Sequence, residues 1–183
     1  VEVVFDMERS GATLAWARMH GDKPCWLVDY AEDRDLWRHK LPRSREVNAY
    51  LSAAPKTFAA YDKAFEAGPD VVAGWGEGCL TWIRYYVDSV KQLHRRMPFL
   101  GYDDIPVVNA PYTATSEVVG ELAEDALFAV GWHVRADGKV VYSLRSRGDF
   151  SVEALAKTMG GGGHVKAAGF QSSKTPDALA EAI

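Results

Sequence analysis

The sequence predicts an α/β protein in two parts joined by a long helix. Leu80, Ile83, Val87, Val90, His94 and Met97 recur at alternating steps of three and four, which draws a continuous apolar seam along one side of a helix. Leu127–Arg135 and Val140–Arg145 are strand-like runs separated by Ala136-Asp-Gly-Lys, whose Asp-Gly pair signals a hairpin. Segments that begin at Ser or Thr and carry an apolar helical face flank both features.

In chain order, Val1–Phe5 looks strand-like. An apolar strand at a chain end would be an unpaired edge, and the chain opens on Val1 rather than Met, so a preceding segment is expected to be missing. Residues 10–19 predict a helix capped by Ser10 or Thr13, with Leu14, Ala15 and Met19 as its apolar face. Pro24–Tyr30 fits a short strand or a buried helix turn. A charged run follows at Glu32–Lys40. Ser44–Ser52 predicts a helix ended by Pro55, and Lys56–Ala67 another, with Phe58, Tyr61 and Phe65 on one face. The clearest helix covers residues 72–97 and stops at Pro98, which cannot continue it. Phe99–Asp104 then serves as a connector, which divides the chain into residues 1–97 and 98–183.

The second part predicts a small mixed α/β unit. Ile105–Asn109 is a strand. Thr115–Asp125 is a helix with Ser116 as cap and Val118, Val119 and Leu122 inward. Ser151 caps a helix through Met159, whose buried stripe is Val152, Leu155, Ala156 and Met159. Gly160–Gly163 breaks it, and His164–Gln171 returns as a helix turn and a strand.

Composition excludes some functions. The net charge is −4, with only local basic clusters at Arg34–Arg45 and Lys91–Arg96. Such a chain suits a small phosphorylated ligand better than a long duplex. No apolar run reaches the ~18 residues of a membrane span, and no signal peptide is visible. Cys25 and Cys79 have neither zinc spacing nor a disulfide framework, and are expected as buried free thiols in a reducing, cytoplasmic compartment.

The glycine run Gly160–Gly163 is short, lacks Ser and lies between apolar segments, unlike a flexible linker. Glycine lets backbone amides approach a ligand closely, and successive inward amides form an anion nest. His164 can donate to a phosphate oxygen, and Ala167, Ala168 and Gly169 permit close packing behind the loop. The competing reading is a tight turn whose histidine caps the next helix. Alternation places Ser143, Arg145 and Arg147 on one strand face. The planar fork of an arginine suits a phosphate, and a solvated strand end is the alternative.

Ser143-Leu-Arg-Ser, Val152-Glu-Ala-Leu-Ala and Gly160-Gly-Gly-Gly-His-Val-Lys-Ala-Ala-Gly-Phe together resemble the carboxy-terminal domain that accompanies the DHH phosphoesterase superfamily. The resemblance runs from about Ile105 to the end. Residues 1–97 are similar to the later part of a DHH catalytic domain. There Tyr30-Ala-Glu-Asp-Arg-Asp-Leu-Trp-Arg resembles the fourth motif, which supplies an aspartate to a two-manganese centre. Asp33 aligns with that catalytic metal ligand, and Asp29 and Asp35 are rivals.

The resemblance implies a metal-dependent, oligoribonuclease-like phosphodiesterase in which metal-activated water hydrolyses short oligonucleotides or small nucleotide phosphoesters. Ser143, Arg145, Gly161, Gly162, Gly163 and His164 would hold the substrate, and Mn²⁺ would be the cofactor. The family's amino-terminal Asp-x-Asp and Asp-His-His motifs are missing, so this fragment alone is expected to be inactive. A preceding segment or a separate chain would supply them, and a homodimer is a further possibility. The expected partners are short single-stranded RNA or DNA, or a nucleotide, and no membrane. Two other readings stand: a non-catalytic nucleotide- or RNA-binding module, since a variant of the domain ends alanyl-tRNA synthetases, and a pyrophosphate or polyphosphate hydrolase.

Overall fold

In the computed structural model, which describes residues 6 and 8–180, Ser10 opens the first helix: its Oγ accepts from the Thr13 amide at 3.1 Å. The strand-like Val1–Phe5 lies outside the described residues. The chain divides into two units, Val1–Arg84 and Tyr85–Ile183.

The first unit is helical. Helix α1 (Gly11–His20) is followed by α2 (Trp26–Asp35), so the apolar run at Pro24–Tyr30 resolves as helix. Next come α3 (Ser44–Ala53), α4 (Phe58–Ala67, capped by the Thr57 side chain) and the start of the long α5 (Pro69–Lys91). Tyr30, Val47, Ala64, Val72 and Ala73 form the buried core. A Cβ at Gly76 would lie 1.9 Å from the Glu46 carbonyl oxygen, so α5 reaches α3 only because this residue has no side chain. The predicted apolar face of α4 is only partly used: Phe58 is 91% exposed, Tyr61 is half-buried and Phe65 stacks on Trp26, while Ala64 enters the core. Cys25 is buried and Cys79 half-buried, both free.

Helix α5 ends at Lys91, short of Pro98. Residues Arg95–Phe99 form a strand, β1, that pairs antiparallel with β2 (Tyr102–Asn109). The linking Leu100 and Gly101 take φ of 48° and 84°, the left-handed pair that a tight hairpin requires. Pro98 is tolerated because β1 is an edge strand with a register shift between Met97 and Phe99.

The remaining strands are β3 (Ala129–Val134), β4 (Val140–Arg145), β5 (Gly162–His164) and β6 (Ala167–Ser172). The sheet order is β1-β2-β3-β4-β6-β5, with β2 and β3 parallel and the other neighbours antiparallel. Helix α6 (Thr115–Leu122) makes the parallel crossover, and α7 (Val152–Thr158) and α8 (Pro176–Ala180) follow later. One sheet face carries the core, where Tyr142, Leu144, Phe170, Phe128 and Val130 meet Val152, Leu155, Ala156 and Leu179. The Tyr142 and Phe170 rings stack at 4.6 Å. Among the described residues no helix is long and apolar enough to cross a membrane.

On the opposite face, α6 packs on β3 and β4. A Cβ at Gly131 would come within 2.6 Å of Thr115 Cγ2 and Val119 Cγ2, both on buried residues of α6. Gly131→Ala should therefore wedge α6 from the sheet and destabilise the unit by about 1–3 kcal/mol in urea unfolding. An unchanged midpoint would show that α6 is not seated on that glycine.

Candidate functional site

Beyond α6 the same sheet face opens into a cleft of about 580 Å³, lined along β4, β6 and the glycine run. Strand register builds its floor. Ser143, Gly169 and Gly162 form one cross-strand row, and Arg145, Ala167 and His164 form the next. Directly paired residues point to the same face, so four predicted site residues, Ser143, Arg145, Gly162 and His164, come together. Arg145 and His164 flank the small Ala167, with their Cα atoms about 10 Å apart by strand spacing. Arg145 lines the cleft and is partly buried, whereas His164 is exposed and is not among the lining residues.

Arg145 donates from Nη1 to the Leu144 carbonyl and from Nη2 to Ser116 Oγ, both at 2.8 Å. Both acceptors are neutral. Burial pulls its pKa below the usual arginine value; Glu117 opposes that shift and Arg147 adds to it. Ser116 is not the cap of α6, because Ala114 holds that position without a side-chain bond. Its hydroxyl instead orients the arginine. Arg147 lies past the end of β4, where its Nε donates to the Gly120 carbonyl in the last turn of α6 at 3.2 Å.

The glycine run differs from the expected nest of free amides. Gly160 N–H donates to the Lys157 carbonyl and Gly161 N–H to the Ala156 carbonyl, closing the end of α7. Gly162 and His164 belong to β5, whose hairpin with β6 turns at Val165–Lys166. The Ser146 amide donates to Lys166 at 3.2 Å and so phases β6: residues 167 and 169 bond towards β5. Gly162 and His164 are then the bonded partners, and only the Gly163 amide faces the free edge. The glycines act mainly by having no side chains. A Cβ at Gly161 would meet the Gly169 oxygen at 2.1 Å, and one at Gly163 (φ 145°) the Ala167 oxygen at 2.5 Å. A Cβ at Gly162 meets nothing within 4 Å, since the space above it is the cleft.

Asp33 is buried in α2, whereas Asp29 and Asp35 are exposed. Asp33 Oδ1 accepts from the Lys40 amide at 2.8 Å, and Oδ2 accepts from the Leu41 amide at 3.3 Å and the Ser44 hydroxyl at 2.5 Å. Its main-chain carbonyl accepts from Arg38 and His39. Burial pushes the carboxyl pKa up, but the Ser44 hydroxyl, the Lys40 and Leu41 amides and the nearby His39 outweigh it, and the net shift is downward. Among the described residues no group of three or more His, Cys, Asp or Glu stands close enough to share a metal ion. With both Asp33 oxygens already engaged, the residues present do not fit a two-manganese centre.

Ser116 and Gln171 were missed from sequence. The sequence places a strand within His164–Gln171 but not its pairing with β4, which is what puts Ala167, Gly169 and Gln171 on the face of Arg145.

A mixed sheet with helices on both faces, and an open cleft whose lining among the described residues has Arg145 as its one charged side chain, defines the class: a small α/β domain with a glycine-rich cleft floor. Residues 107–183 match the family model of the DHHA1 domain, and this part of the chain is a DHHA1 domain. Over 93% of its length the chain is 25% identical to an uncharacterised protein of Acanthamoeba polyphaga mimivirus. It covers 42% of that protein, so it spans less than half the length of this curated relative. Among solved structures it is similar to a pGpG-specific phosphodiesterase from Vibrio cholerae. That likeness has 13% identity, 88% of this chain and 67% of the other covered, and a TM-score of 0.48. An exopolyphosphatase-related protein from Bacteroides fragilis aligns at 17% identity over 53% of this chain and 31% of its own, with a TM-score of 0.38.

Two outcomes are expected. Gly162→Ala should leave stability within about 0.5 kcal/mol, while Gly163→Ala should cost more than about 1 kcal/mol in thermal unfolding. Equal effects would contradict the assigned cleft floor. Asp33→Ala should cost about 2–4 kcal/mol near neutral pH. Because the folded pKa is depressed, that contribution is present above about pH 4 and is lost as pH falls through the lowered value. Unfolding free energies of the two proteins should converge on acidification, and a constant difference would rule out the ionised carboxylate as the holding group.

Proposed function

We propose that the chain holds the phosphorylated end of a nucleotide, or of a short single-stranded RNA or DNA, in the cleft of its DHHA1 domain. On this reading it is the substrate-gripping part of a phosphodiesterase of the DHH class, and the metal-binding motifs lie outside these residues. Arg145 carries the reading. Its guanidinium is partly removed from water, hydrogen-bonded only to neutral oxygens and set beside a floor of small residues. An incoming phosphate would give the guanidinium the charged acceptor that its hydrogen bonds lack, beyond the more distant field of Glu117.

The chain's own groups then have distinct tasks. Arg145 offers its remaining N–H donors to phosphate oxygens, and Ser116 keeps the fork turned towards the cleft. His164 stands across Ala167 and closes the phosphate from the other side. The Ser143 hydroxyl lies one row further along and suits a sugar or bridging oxygen. Gly161 and Gly163 let the strands approach, and Gly162 keeps the floor open.

A fluorescently labelled 5′-phosphorylated dinucleotide, titrated into the chain in the presence of a chelator, tests binding apart from turnover. Arg145→Ala should weaken binding about 10- to 100-fold, the size of a lost charge-assisted hydrogen-bond pair. His164→Ala should weaken it less. Binding unaffected by Arg145→Ala would sink the reading. Turnover by this chain after Mn²⁺ addition would place the metal site within it and overturn the assignment of the metal motifs elsewhere.

A further inference from the structure

We infer that the far end of the cleft takes a neutral nucleobase rather than a second phosphate, and that Gln171 reads its edge. This rests on the reading of Arg145 as the phosphate anchor.

The cleft is electrically one-ended. Among the described residues, Arg145 is the only charged one in its lining. Moving along β4 and β6 away from Arg145, the rows on the cleft face are Ser143 with Gly169, then Val141 with Gln171. The last of these lies four residues from Arg145, about 13 Å along the strand. That is comparable to the reach of a nucleoside monophosphate from its phosphate to the outer edge of its base. The floor between is Gly169 and Gly162, bare enough for a sugar and a flat ring to lie against the strands.

The chemistry at the far end suits a base. Gln171 is exposed, and among the described residues its side-chain amide has no hydrogen-bond partner. One amide offers both donors and an acceptor, the complement of a base edge. Val141 gives an apolar surface beside it. On β3 the row continues to His133, which meets the ring of Tyr112 edge-on at 6.5 Å. Tyr112 is 81% exposed, so its face is free to stack. The next cations on this face, Lys139 and Arg135, lie at the β3–β4 turn outside the lining, and Arg135 pairs with Asp137. A polyphosphate stretched from Arg145 to Lys139 would cross Ser143, Val141 and Gln171 without a counter-charge.

Calorimetric titration of the full chain with the four nucleoside 5′-monophosphates, inorganic phosphate and tripolyphosphate, at one ionic strength, tests this. Each ligand is run against wild type, Gln171→Leu and Arg145→Ala. The preferred monophosphate should bind at least about tenfold more tightly than phosphate or tripolyphosphate. Gln171→Leu should remove about tenfold from that monophosphate alone, narrow the spread among bases and leave inorganic phosphate unchanged. Tripolyphosphate binding as tightly as the best nucleotide overturns the proposal, as does a base ranking unmoved by Gln171→Leu. If phosphate binds and depends on Arg145 while the bases are indistinguishable, this inference fails and the anchor stands. If Arg145→Ala changes nothing for any ligand, both fail.

Discussion

Strand β6 lies between β4 and β5 only because three positions on or beside it carry no side chain. A Cβ at Gly169 would sit 2.5 Å from the Tyr142 oxygen, one at Gly161 2.1 Å from the Gly169 oxygen, and one at Gly163 2.5 Å from the Ala167 oxygen. Each clash is with backbone, so no change of rotamer relieves it. The same strands are tied from below, where Tyr142 and Phe170 stack and the Tyr142 hydroxyl donates to the Lys174 carbonyl. The bare floor and the aromatic core are thus two faces of one set of strands. Side-chain volume is concentrated on the core face, and its absence on the other face leaves room for a ligand.

The first unit shows a carboxylate used as an internal organiser. The loop after α2 passes through left-handed conformations at Trp37, His39 and Arg43, which non-glycine residues adopt at a cost. Asp33 compensates: its side chain gathers Lys40, Leu41 and Ser44, and its carbonyl gathers Arg38 and His39. Nearby, Glu32 accepts from the Ser10 amide at 3.0 Å and ties the start of α1 to α2. The charged run at Glu32–Lys40, which looks solvated in the sequence, therefore contains a buried anion, Asp33, held by two amides and a hydroxyl, and a half-buried one, Glu32, held by the Ser10 amide and Arg38. Charge pattern alone does not distinguish the two cases, because the partners are created by the loop itself.

Local signals were legible where tertiary packing agreed with them. Ser10 and Ser151 cap their helices, and the Asp137-Gly138 turn delivers β4 at Val140–Arg145. They misled where a distant partner decided. The helical seam suggested a helix to Met97, yet Arg95–Phe99 pairs with β2 across a turn that puts a leucine at positive φ, which turn chemistry disfavours. In His164–Gln171 the expected strand is present as β6 from Ala167, but the expected helix turn is a hairpin at Val165–Lys166, set by pairing with β5 and β4. For the same reason Ser143 and Arg145 were visible as a pair by alternation. Their alignment with Gly162 and His164 needs the register of three strands, which no local pattern contains.

Arg145 gains its importance from what it is denied. A guanidinium with water on all sides gains little from meeting a phosphate, since hydration is lost as contacts form. Arg145 has already lost much of its water during folding, and the Leu144 carbonyl and Ser116 hydroxyl compensate only in part. On the proposed reading, an anion at this point would supply the charge match that these hydrogen bonds and the nearby Glu117 leave incomplete. The chain's overall charge of −4 works in the opposite direction at long range. It disfavours the approach of highly charged polymers while leaving a short-range attraction inside the cleft, because screening removes the distant field within about 8–10 Å at physiological salt. On the proposed reading, one partly buried cation within a negative protein favours a ligand with a single concentrated charge and a largely neutral body.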